Sequence, residues 1–524
     1  MILLSKLQKV KMPLQVINVI YYSIIILLLL RLLGSFIDPD LWWHIRLGQN
    51  ILENNWINNL TFTCTDYVWV NHAWLSDVLI SQLHKLGGFQ GMSIFFSAVF
   101  GVGILFNFMA IKEVLKGLNT KLSRTLVLLY LTLFIHILTS FIAVRPQAFS
   151  FLFINVLLFV LIKISAANKV KYFHLLYMAP LFLLWVNLHG GFPIGIGLIG
   201  IFLIYHGLQL VQATIFNTGK SDVLKHLKYI FFLTAVLIVF GLVSLINPFG
   251  IKLWEEIFTL VLGSSNANFI SEWKAINIKD YFMLFYFILC TAALVLQVLR
   301  RNYNLLRLLL LIIFGFLSFY SVRYILPASG IVIMVFIIEL TLFINNFKYL
   351  FTDKESKRAL AALKVLFWIV FAAFGLLWAA TSLKFWDGLR DITNKENNTG
   401  LVMYPIKAAE FIKAHPETFS DLNFYNTYVW GGYLTYTLPG YNWFINGIMP
   451  EWHCNGKVKG TVMLDYVELE SLNPAWANVL DRYNIQAVLI QNTSSLANVL
   501  KENDKWELLY QDELAVLYFK IRDL

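Results

Sequence analysis

The chain has 524 residues, of which 58% are hydrophobic and only 14% are charged, and its mean hydropathy is +0.67. This composition excludes an ordinary soluble enzyme and indicates a polytopic α-helical membrane protein. The net charge of +10 does not indicate a nucleic-acid-binding protein, because the basic residues fall mostly in short loops between apolar runs. In such loops they act as topology signals.

Eleven apolar runs predict membrane-spanning helices. In chain order they cover residues 16–37, 92–110, 125–144, 148–164, 173–186, 193–211, 229–246, 281–299, 305–319, 325–344 and 363–383. Lysine and arginine crowd every second loop, beginning with Lys6, Lys9 and Lys11. This bias places the N-terminus in the cytoplasm and the C-terminus on the exported side of the membrane. No small-residue cleavage site follows the first run, which is therefore predicted to be a retained helix.

The composition changes after the transmembrane domain, which is predicted over residues 1–384, and apolar runs shorten to strand length. Residues 385–524 are therefore predicted to form a small exported α/β domain. Its predicted elements are a helix over 405–415, strands over 422–428, 433–438 and 487–490, and a hairpin of 506–510 with 515–519. The three cysteines indicate neither a metal site nor a disulfide framework. A bridge between Cys64 and Cys454 is the open alternative, because both lie on the exported side of the predicted topology.

A polar, tryptophan-rich loop, predicted over residues 38–91, follows the first helix directly. It opens with Asp38-Pro39-Asp40-Leu41-Trp42-Trp43-His44, and ionisable groups at a membrane face indicate a functional site. A carboxylate there can deprotonate or orient an acceptor nucleophile, so Asp38 and Asp40 are the candidate catalytic residues. The structural alternative is that Asp38 caps a short helix through Ile51, with Pro39 as its first residue.

Aromatic and histidine side chains accompany these carboxylates. Candidate contacts to a sugar or an acceptor are Trp42, Trp43, His72, Trp74 and Asp66. Indoles also serve as anchors at the membrane interface, and an aspartate after a polar run also serves in turns. His44 is a candidate phosphate ligand, with a purely structural role as its alternative.

The other outward loops are short and polar at their tips. They contain Arg145-Pro146-Gln147, Asn187-Leu188-His189-Gly190-Gly191, Asn247-Pro248-Phe249-Gly250 and Ser321-Val322-Arg323-Tyr324. Arg145 and Arg323 are the best candidates to hold a lipid phosphate, because guanidinium binds phosphate in a bidentate way. His189 and Asn187 are placed with them, and snorkelling of the arginines to the interface is the alternative. Further acids that could reach this face as metal ligands are Glu255, Glu256 and Glu272, but their spacing does not decide it.

Taken in order, these motifs resemble the superfamily of multi-spanning glycosyltransferases that use polyprenyl-phosphate sugars, known as the GT-C fold. Its members include protein O-mannosyltransferases, aminoarabinose transferases and oligosaccharyltransferase catalytic subunits, and the chain looks most like uncharacterised bacterial members. The resemblance spans nearly the whole chain and includes Trp430-Gly431-Gly432-Tyr433-Leu434. Related sequences often have Glu at Ala73, Asp at Asn446 and Arg at Ile448. The Trp430 segment is loosely similar to an acceptor-binding motif of oligosaccharyltransferases, but Gly431 replaces its acidic residue, which favours a strand and turn.

The resemblance implies transfer of a sugar from a polyprenyl-phosphate-linked donor to a glycan, lipid or protein acceptor on the exported face, within membrane lipid. It implies that Asp38 or Asp40 is the catalytic carboxylate. Three alternatives stay open: en bloc glycan transfer as in oligosaccharyltransferases, a transporter or flippase for lipid-linked sugars, and a non-catalytic scaffold of the cell envelope. A transporter is disfavoured because the polar residues gather at one face rather than at the midplane. The residues establish no cofactor, and a divalent cation such as Mg²⁺ or Mn²⁺ stays open.

Overall fold

The computed structural model of the chain describes residues 14–30, 38–54, 56, 60–64, 67, 69–167, 172–262, 270–301, 303–350, 404–448, 461–474 and 476–521. The predicted eleventh helix, 363–383, lies outside the described residues. So do Asp66, Cys454 and the beginning of the predicted C-terminal domain.

Helices make up the first part of the structure. Their bounds are Leu14–Leu30, Leu41–Leu52, Trp74–Gly117, Arg124–Leu138, Gln147–Ala166, Leu175–Leu188, Pro193–Ile215, Lys220–Val243, Lys252–Leu262, Tyr281–Arg300, Leu305–Tyr320 and Ile325–Leu350. Among the described residues, six helices are long and apolar enough to cross a membrane: Trp74–Gly117, Gln147–Ala166, Pro193–Ile215, Lys220–Val243, Tyr281–Arg300 and Val322–Asn346. Three further apolar helices are shorter. Each of the first ten predicted runs overlaps a helix, but the count of eleven spans is not confirmed.

The first polar segment is more helical than predicted. The second long helix begins at Trp74 rather than at Met92, and it kinks at Gly88, whose φ is +57°. Its first turns were missed because they carry polar residues, yet Ser76, Asp77 and Ser81 face inward and are buried. The short helix begins at Leu41, so the prediction that Asp38 caps it and that Pro39 is its first residue is wrong. Asp38 instead stabilises the preceding turn, where its Oδ1 accepts the backbone N–H of Asp40 at 2.9 Å.

Polar contacts tie the buried centre of the bundle together. The Asn107 side-chain amide donates to Asn155 Oδ1 at 2.7 Å and to the carbonyl of Gly330 at 2.8 Å. A Cβ at Gly330 would lie only 2.2 Å from Asn155 Oδ1, so the close approach requires glycine. Small residues and interhelical amide bonds are the usual devices by which helices associate in lipid.

A five-stranded mixed sheet forms the C-terminal part. Its strands are β1 (Asn423–Asn426), β2 (Asn442–Trp443), β3 (Ala487–Gln491), β4 (Trp506–Gln511) and β5 (Ala515–Lys520), in the order β2-β1-β3-β5-β4. β1 is parallel to β2 and β3, whereas β5 is antiparallel to β3 and β4. The predictions of β1, β3 and the terminal hairpin are confirmed. The helices of this part are Ile406–Ala414, which was predicted, Pro416–Phe419, Gly431–Thr437, Val462–Glu470, Trp476–Arg482 and Ser495–Lys501.

The segment predicted as a strand over 433–438 is wrong, because Gly431–Thr437 is a helix. The alternation of aromatic and polar residues there is typical of a strand, but tertiary packing decides the outcome. A Cβ at Gly431 would lie 2.1 Å from the carbonyl oxygen of Ile445, so two glycines let this helix approach its neighbours closely. The interpretation of Trp430-Gly431-Gly432-Tyr433 as a strand and turn is therefore wrong as well.

The C-terminal part packs directly on the short helix Leu41–Leu52. The Trp42 ring lies 5.2 Å from that of Tyr433 and 5.6 Å from that of Tyr404, measured between centroids. The Thr63 hydroxyl donates to the carbonyl of Phe444 at 2.8 Å. Cys64 is disulfide-bonded, which corrects the expectation that the cysteines carry no bridge. The sheet is thus fixed against the segment that carries Asp38 and Asp40.

Candidate active site

A polar cavity of about 520 Å³ lies where this packing occurs. Its wall comes from the first polar segment, from the loops before Gln147 and after Leu188, from residues 270–273, and from the C-terminal part. Among the chemistry-bearing side chains in it are Asp38, Asp40, Trp43, His44, His72, Arg145, His189, Glu256, Glu272 and Arg323. The structure thus brings together most of the residues that the sequence singled out.

Arg145 lies at the centre of three carboxylates. Its Nε is 3.0 Å from Asp38 Oδ1, its Nη1 donates to Glu272 Oε1 at 2.6 Å, and its Nη2 donates to Asp40 Oδ2. Burial would lower the pKa of Arg145, but the three carboxylates hold it well above its usual value. All three guanidinium nitrogens therefore contact carboxylates. The sequence predicted Arg145 as a phosphate ligand and not as the partner of three carboxylates.

The two aspartates differ in their electrostatic environments. Burial raises the pKa of Asp38 to about 6, with Asp40 adding to the shift and Arg145 opposing it. For Asp40 burial also raises the pKa, but Arg145, His44 and the hydrogen bond from Trp43 Nε1 hold it below its usual value. At neutral pH Asp40 is therefore a fixed anion. Asp38 is the carboxylate whose proton affinity suits proton transfer.

His44 is oriented by an aspartate that sequence reasoning missed. Its Nδ1 lies 2.5 Å from Asp77 Oδ1, and Asp77 Oδ2 accepts the side-chain amide of Asn71 at 2.6 Å. Asp77 is fully buried, and Asn71 is fixed in turn by the backbone N–H of Ala73. The signal that could have revealed it is one acid within the apolar run Trp74–Ile80.

We expect Asp77→Ala to lower the free energy of unfolding by about 2 to 5 kcal/mol, because it leaves two buried polar partners unsatisfied. Asp77→Asn, which keeps the size and one oxygen acceptor, should cost less. The measurement is the thermal unfolding midpoint of the purified protein. Glu53→Ala, which removes an exposed carboxylate after the short helix, is the control and should leave the midpoint unchanged. Equal midpoints for the wild type and Asp77→Ala would show that this network contributes nothing to stability.

Two further histidines in the wall are neutral. Burial lowers the pKa of His72 to about 3 and that of His189 well below its usual value. The backbone N–H of Gly191 donates to His189 Nδ1 at 3.1 Å, so Nδ1 is an acceptor and the proton lies on Nε2. The Ser150 hydroxyl, 2.7 Å away, also donates to this Nδ1. His189 therefore offers one N–H donor from a fixed ring.

Arg323 differs from Arg145 in its surroundings. Its guanidinium stacks over the Trp273 ring, 4.7 Å from the centroid, and among the described residues no carboxylate lies within ion-pair distance of it. It lines the polar cavity and also a neighbouring apolar cavity of about 300 Å³. Both cavities also share His72, Gln147, His189 and Trp273. The polar and the apolar cavity together therefore have the shape needed for a molecule with an anionic head and an apolar tail.

Three predicted residues lie elsewhere. Asn187 Oδ1 accepts the indole N–H of Trp74 at 2.9 Å, and the Asn187 side-chain amide donates to two backbone carbonyls. Both side chains therefore connect neighbouring segments by hydrogen bonds. Trp42 packs among aromatic rings between the first segment and the C-terminal part. None of the three lines the polar cavity.

The residues present do not fit a divalent cation in the arrangement observed. Among the described residues no group of three or more His, Cys, Asp or Glu could hold a metal ion. Asp38, Asp40 and Glu272 converge on a guanidinium instead of on an open coordination site.

No protein-family model matches the chain, and no curated protein matches it. Solved structures do. The oligosaccharyltransferase of Archaeoglobus fulgidus in its apo form superposes with a TM-score of 0.56 at 11% identity, over 90% of this chain and 69% of that one. The same enzyme tethered with an acceptor peptide gives 0.53 at 12% identity, with the same coverage. This chain has the fold of that enzyme.

The fold expected from the resemblance is therefore confirmed, and identities this low show the fold alone. ArnT from Cupriavidus metallidurans in the apo state gives a TM-score of 0.47 at 11% identity, over 96% of this chain and 97% of that one, which is too low to carry an argument.

Several wall residues were missed by sequence reasoning. Trp273, Tyr428, Val429, Gly432 and Gly447 line the cavity together with the predicted residues. A Cβ at Gly447 would lie 2.4 Å from Asp40 Oδ1, so the C-terminal part touches the carboxylate cluster itself. Nothing in the local sequence around residue 447 indicates this contact, because it joins segments about four hundred residues apart.

Proposed function

We propose that this protein is a membrane glycosyltransferase that transfers a sugar from a polyprenyl-phosphate-linked donor to an acceptor at the exported face. The observation that carries the proposal is the junction of the two cavities at Arg323. A phosphate placed there meets a guanidinium that has no carboxylate of the described residues within ion-pair distance, while the apolar cavity receives the prenyl chain. The sugar then extends into the polar cavity, toward Asp38.

The chemistry needs two groups at opposite ends of the reacting sugar. Asp38 accepts the proton of the acceptor nucleophile as the new bond to the anomeric carbon forms. The bond from that carbon to the phosphate oxygen breaks, and the polyprenyl phosphate leaves with its negative charge stabilised by Arg323 and by the N–H of His189. Asp40 and Arg145 hold Asp38 in position. The backbone N–H of Asp40 donates to Asp38 Oδ1, and Arg145 Nε forms an ion pair with the same oxygen.

Trp43 and His72 lie in the wall, where they can contact the sugar or the acceptor. Trp42 and Trp74 act indirectly in this proposal, because their contacts fix the segments that carry the wall residues. We propose the division predicted from sequence, with a transmembrane domain over 1–384 and an exported domain over 385–524, in a bacterial inner membrane. The acceptor is a glycan, a lipid or a protein.

The fold shared with an enzyme solved with a tethered acceptor peptide makes en bloc glycan transfer to a protein the second candidate. The two candidates differ in donor. Turnover of a polyprenyl-monophosphate sugar with no turnover of a diphosphate-linked oligosaccharide supports the first candidate, and the reverse pattern supports the second.

A matched glycine pair on the helix Pro193–Ile215 tests the lipid cavity. Gly197 lines it, and a Cβ there meets nothing within 4 Å, so the side chain of Gly197→Leu has open space at its base and should extend into the cavity. We expect radiolabelled polyprenyl phosphate to bind this variant about 10- to 50-fold more weakly, since two or three buried methylene groups lose their place. Gly200 has equally open space but does not line the cavity, so Gly200→Leu should bind normally. Equal binding by both variants would contradict the placement of the prenyl chain.

A further inference from the structure

We propose that the Arg145 guanidinium occupies the position at which a divalent cation would be held, so that this site works with a built-in cation and requires no metal. The proposal deepens the proposed function and rests on it only for what the carboxylates do during transfer. The proposal rests on a geometric observation. Each of the three guanidinium nitrogens contacts a different carboxylate, and these carboxylates belong to Asp38, Asp40 and Glu272.

Both oxygens of Asp40 and one oxygen each of Asp38 and Glu272 are already engaged. Asp38 Oδ1 forms an ion pair with Arg145 Nε at 3.0 Å and accepts the backbone N–H of Asp40. Asp40 Oδ2 accepts Arg145 Nη2, while its Oδ1 accepts the indole N–H of Trp43 at 3.1 Å. A Mg²⁺ or Ca²⁺ ion needs such oxygens about 2.0 to 2.6 Å from its centre. The guanidinium must leave before an ion can enter between them.

Local backbone structure keeps Arg145 in this position. Its carbonyl accepts the backbone N–H of Ala148 at 3.1 Å, so the residue starts the first turn of the helix Gln147–Ala166. Pro146 restricts the backbone at this point. The side chain is only 18% exposed, and its three bonds fix the planar group in orientation as well as in position.

The local charge also opposes a further cation. Three carboxylates face Arg145, and Arg323 adds a second positive charge to the same cavity. Counting Glu256, which also lines the cavity, the two guanidiniums already balance half of the carboxylate charge, so an added divalent ion would meet both attraction and repulsion at close range. The arrangement gives the carboxylates the orientation and charge balance that a metal supplies at other sites.

The test is a titration of the purified, EDTA-treated protein with Mn²⁺, followed by the electron paramagnetic resonance signal of the free ion. We expect no saturable binding by the wild type that depends on the carboxylates. Arg145→Met, which removes the charge and keeps much of the chain length, should bind Mn²⁺ at least about 100-fold more tightly. Adding Asp40→Asn to that variant should abolish the new site.

Arg323→Met is the matched control, because it removes a charge from the same cavity without vacating the space between the carboxylates. It should not create a Mn²⁺ site. Saturable Mn²⁺ binding by the wild type that disappears in Glu272→Gln or Asp40→Asn would overturn the proposal, whether or not Arg145→Met folds. These titrations use no sugar donor, so a failure to detect transfer leaves their outcome unaffected, and a negative titration leaves the transfer assay unaffected.

Discussion

Asp38→Asn is expected to lower the rate of sugar transfer about 10²- to 10⁴-fold, the range typical for loss of a general base. The amide keeps the size of the side chain but cannot accept the proton of the acceptor. The carboxylate already accepts the backbone N–H of Asp40, so the turn before Leu41 should persist with an amide oxygen in that place. The measurement is the turnover of a polyprenyl-phosphate sugar by protein in nanodiscs, with the unfolding midpoint as the control for folding.

The pH profile separates the two aspartates. The ionised carboxylate is the base, so turnover by the wild type should rise as pH increases through about 6 and level off above it. Asp40→Asn removes a neighbouring negative charge that raises the pKa of Asp38, so the rise should move to lower pH. If Asp38→Asn keeps the rise near pH 6 and Asp40→Asn loses it, the assignment of the base is wrong.

Much of the fold was predictable because its signals are local. Apolar runs locate the helices, and the patterns at Ala487–Ile490, Trp506–Tyr510 and Ala515–Phe519 locate strands β3 to β5. The failures have one cause, which is that long-range packing overrides local pattern. Polar residues in 74–91 predict a loop, but Asp77 is buried against His44 and its segment is helical. Alternation predicts a strand at 433–438, but Gly431 and Gly432 permit a close-packed helix.

The candidate site was predictable as a set of residues and not as a network. Composition and topology alone place Asp38, Asp40, Arg145 and Arg323 on one face of the membrane. Composition and topology could not show that Arg145 contacts three carboxylates while Arg323 stacks on Trp273. In the sequence both arginines look alike, because each lies at the polar tip of a short outward loop. In the proposed function that difference separates their roles: the first organises the carboxylates and the second binds the lipid phosphate. It also explains why Glu272, whose sequence spacing is uninformative, belongs to the site.

Arg323→Met is expected to lower kcat/KM for a polyprenyl-phosphate sugar about 10²- to 10³-fold. The loss has two parts, because the guanidinium binds the phosphate in the ground state and stabilises the charge that builds on it as the sugar leaves. The ground-state part should weaken binding of polyprenyl phosphate about 10- to 100-fold, as for one lost charge-assisted hydrogen-bonding partner. Weaker binding in the ground state raises KM. A fall in kcat that accompanies this rise would identify the stabilisation that Arg323 provides only in the transition state.

The uncharged alcohol separates charge from packing in the same experiment. Polyprenol has the same apolar chain and no phosphate, so its binding should be equal in the wild type and in Arg323→Met. Arg46→Met is the control for a generic loss of positive charge, because Arg46 lies on the short helix and does not line either cavity. It should leave binding of both lipids unchanged. An equal loss of phosphate and alcohol binding in Arg323→Met would show that the arginine shapes the apolar cavity and does not bind the phosphate.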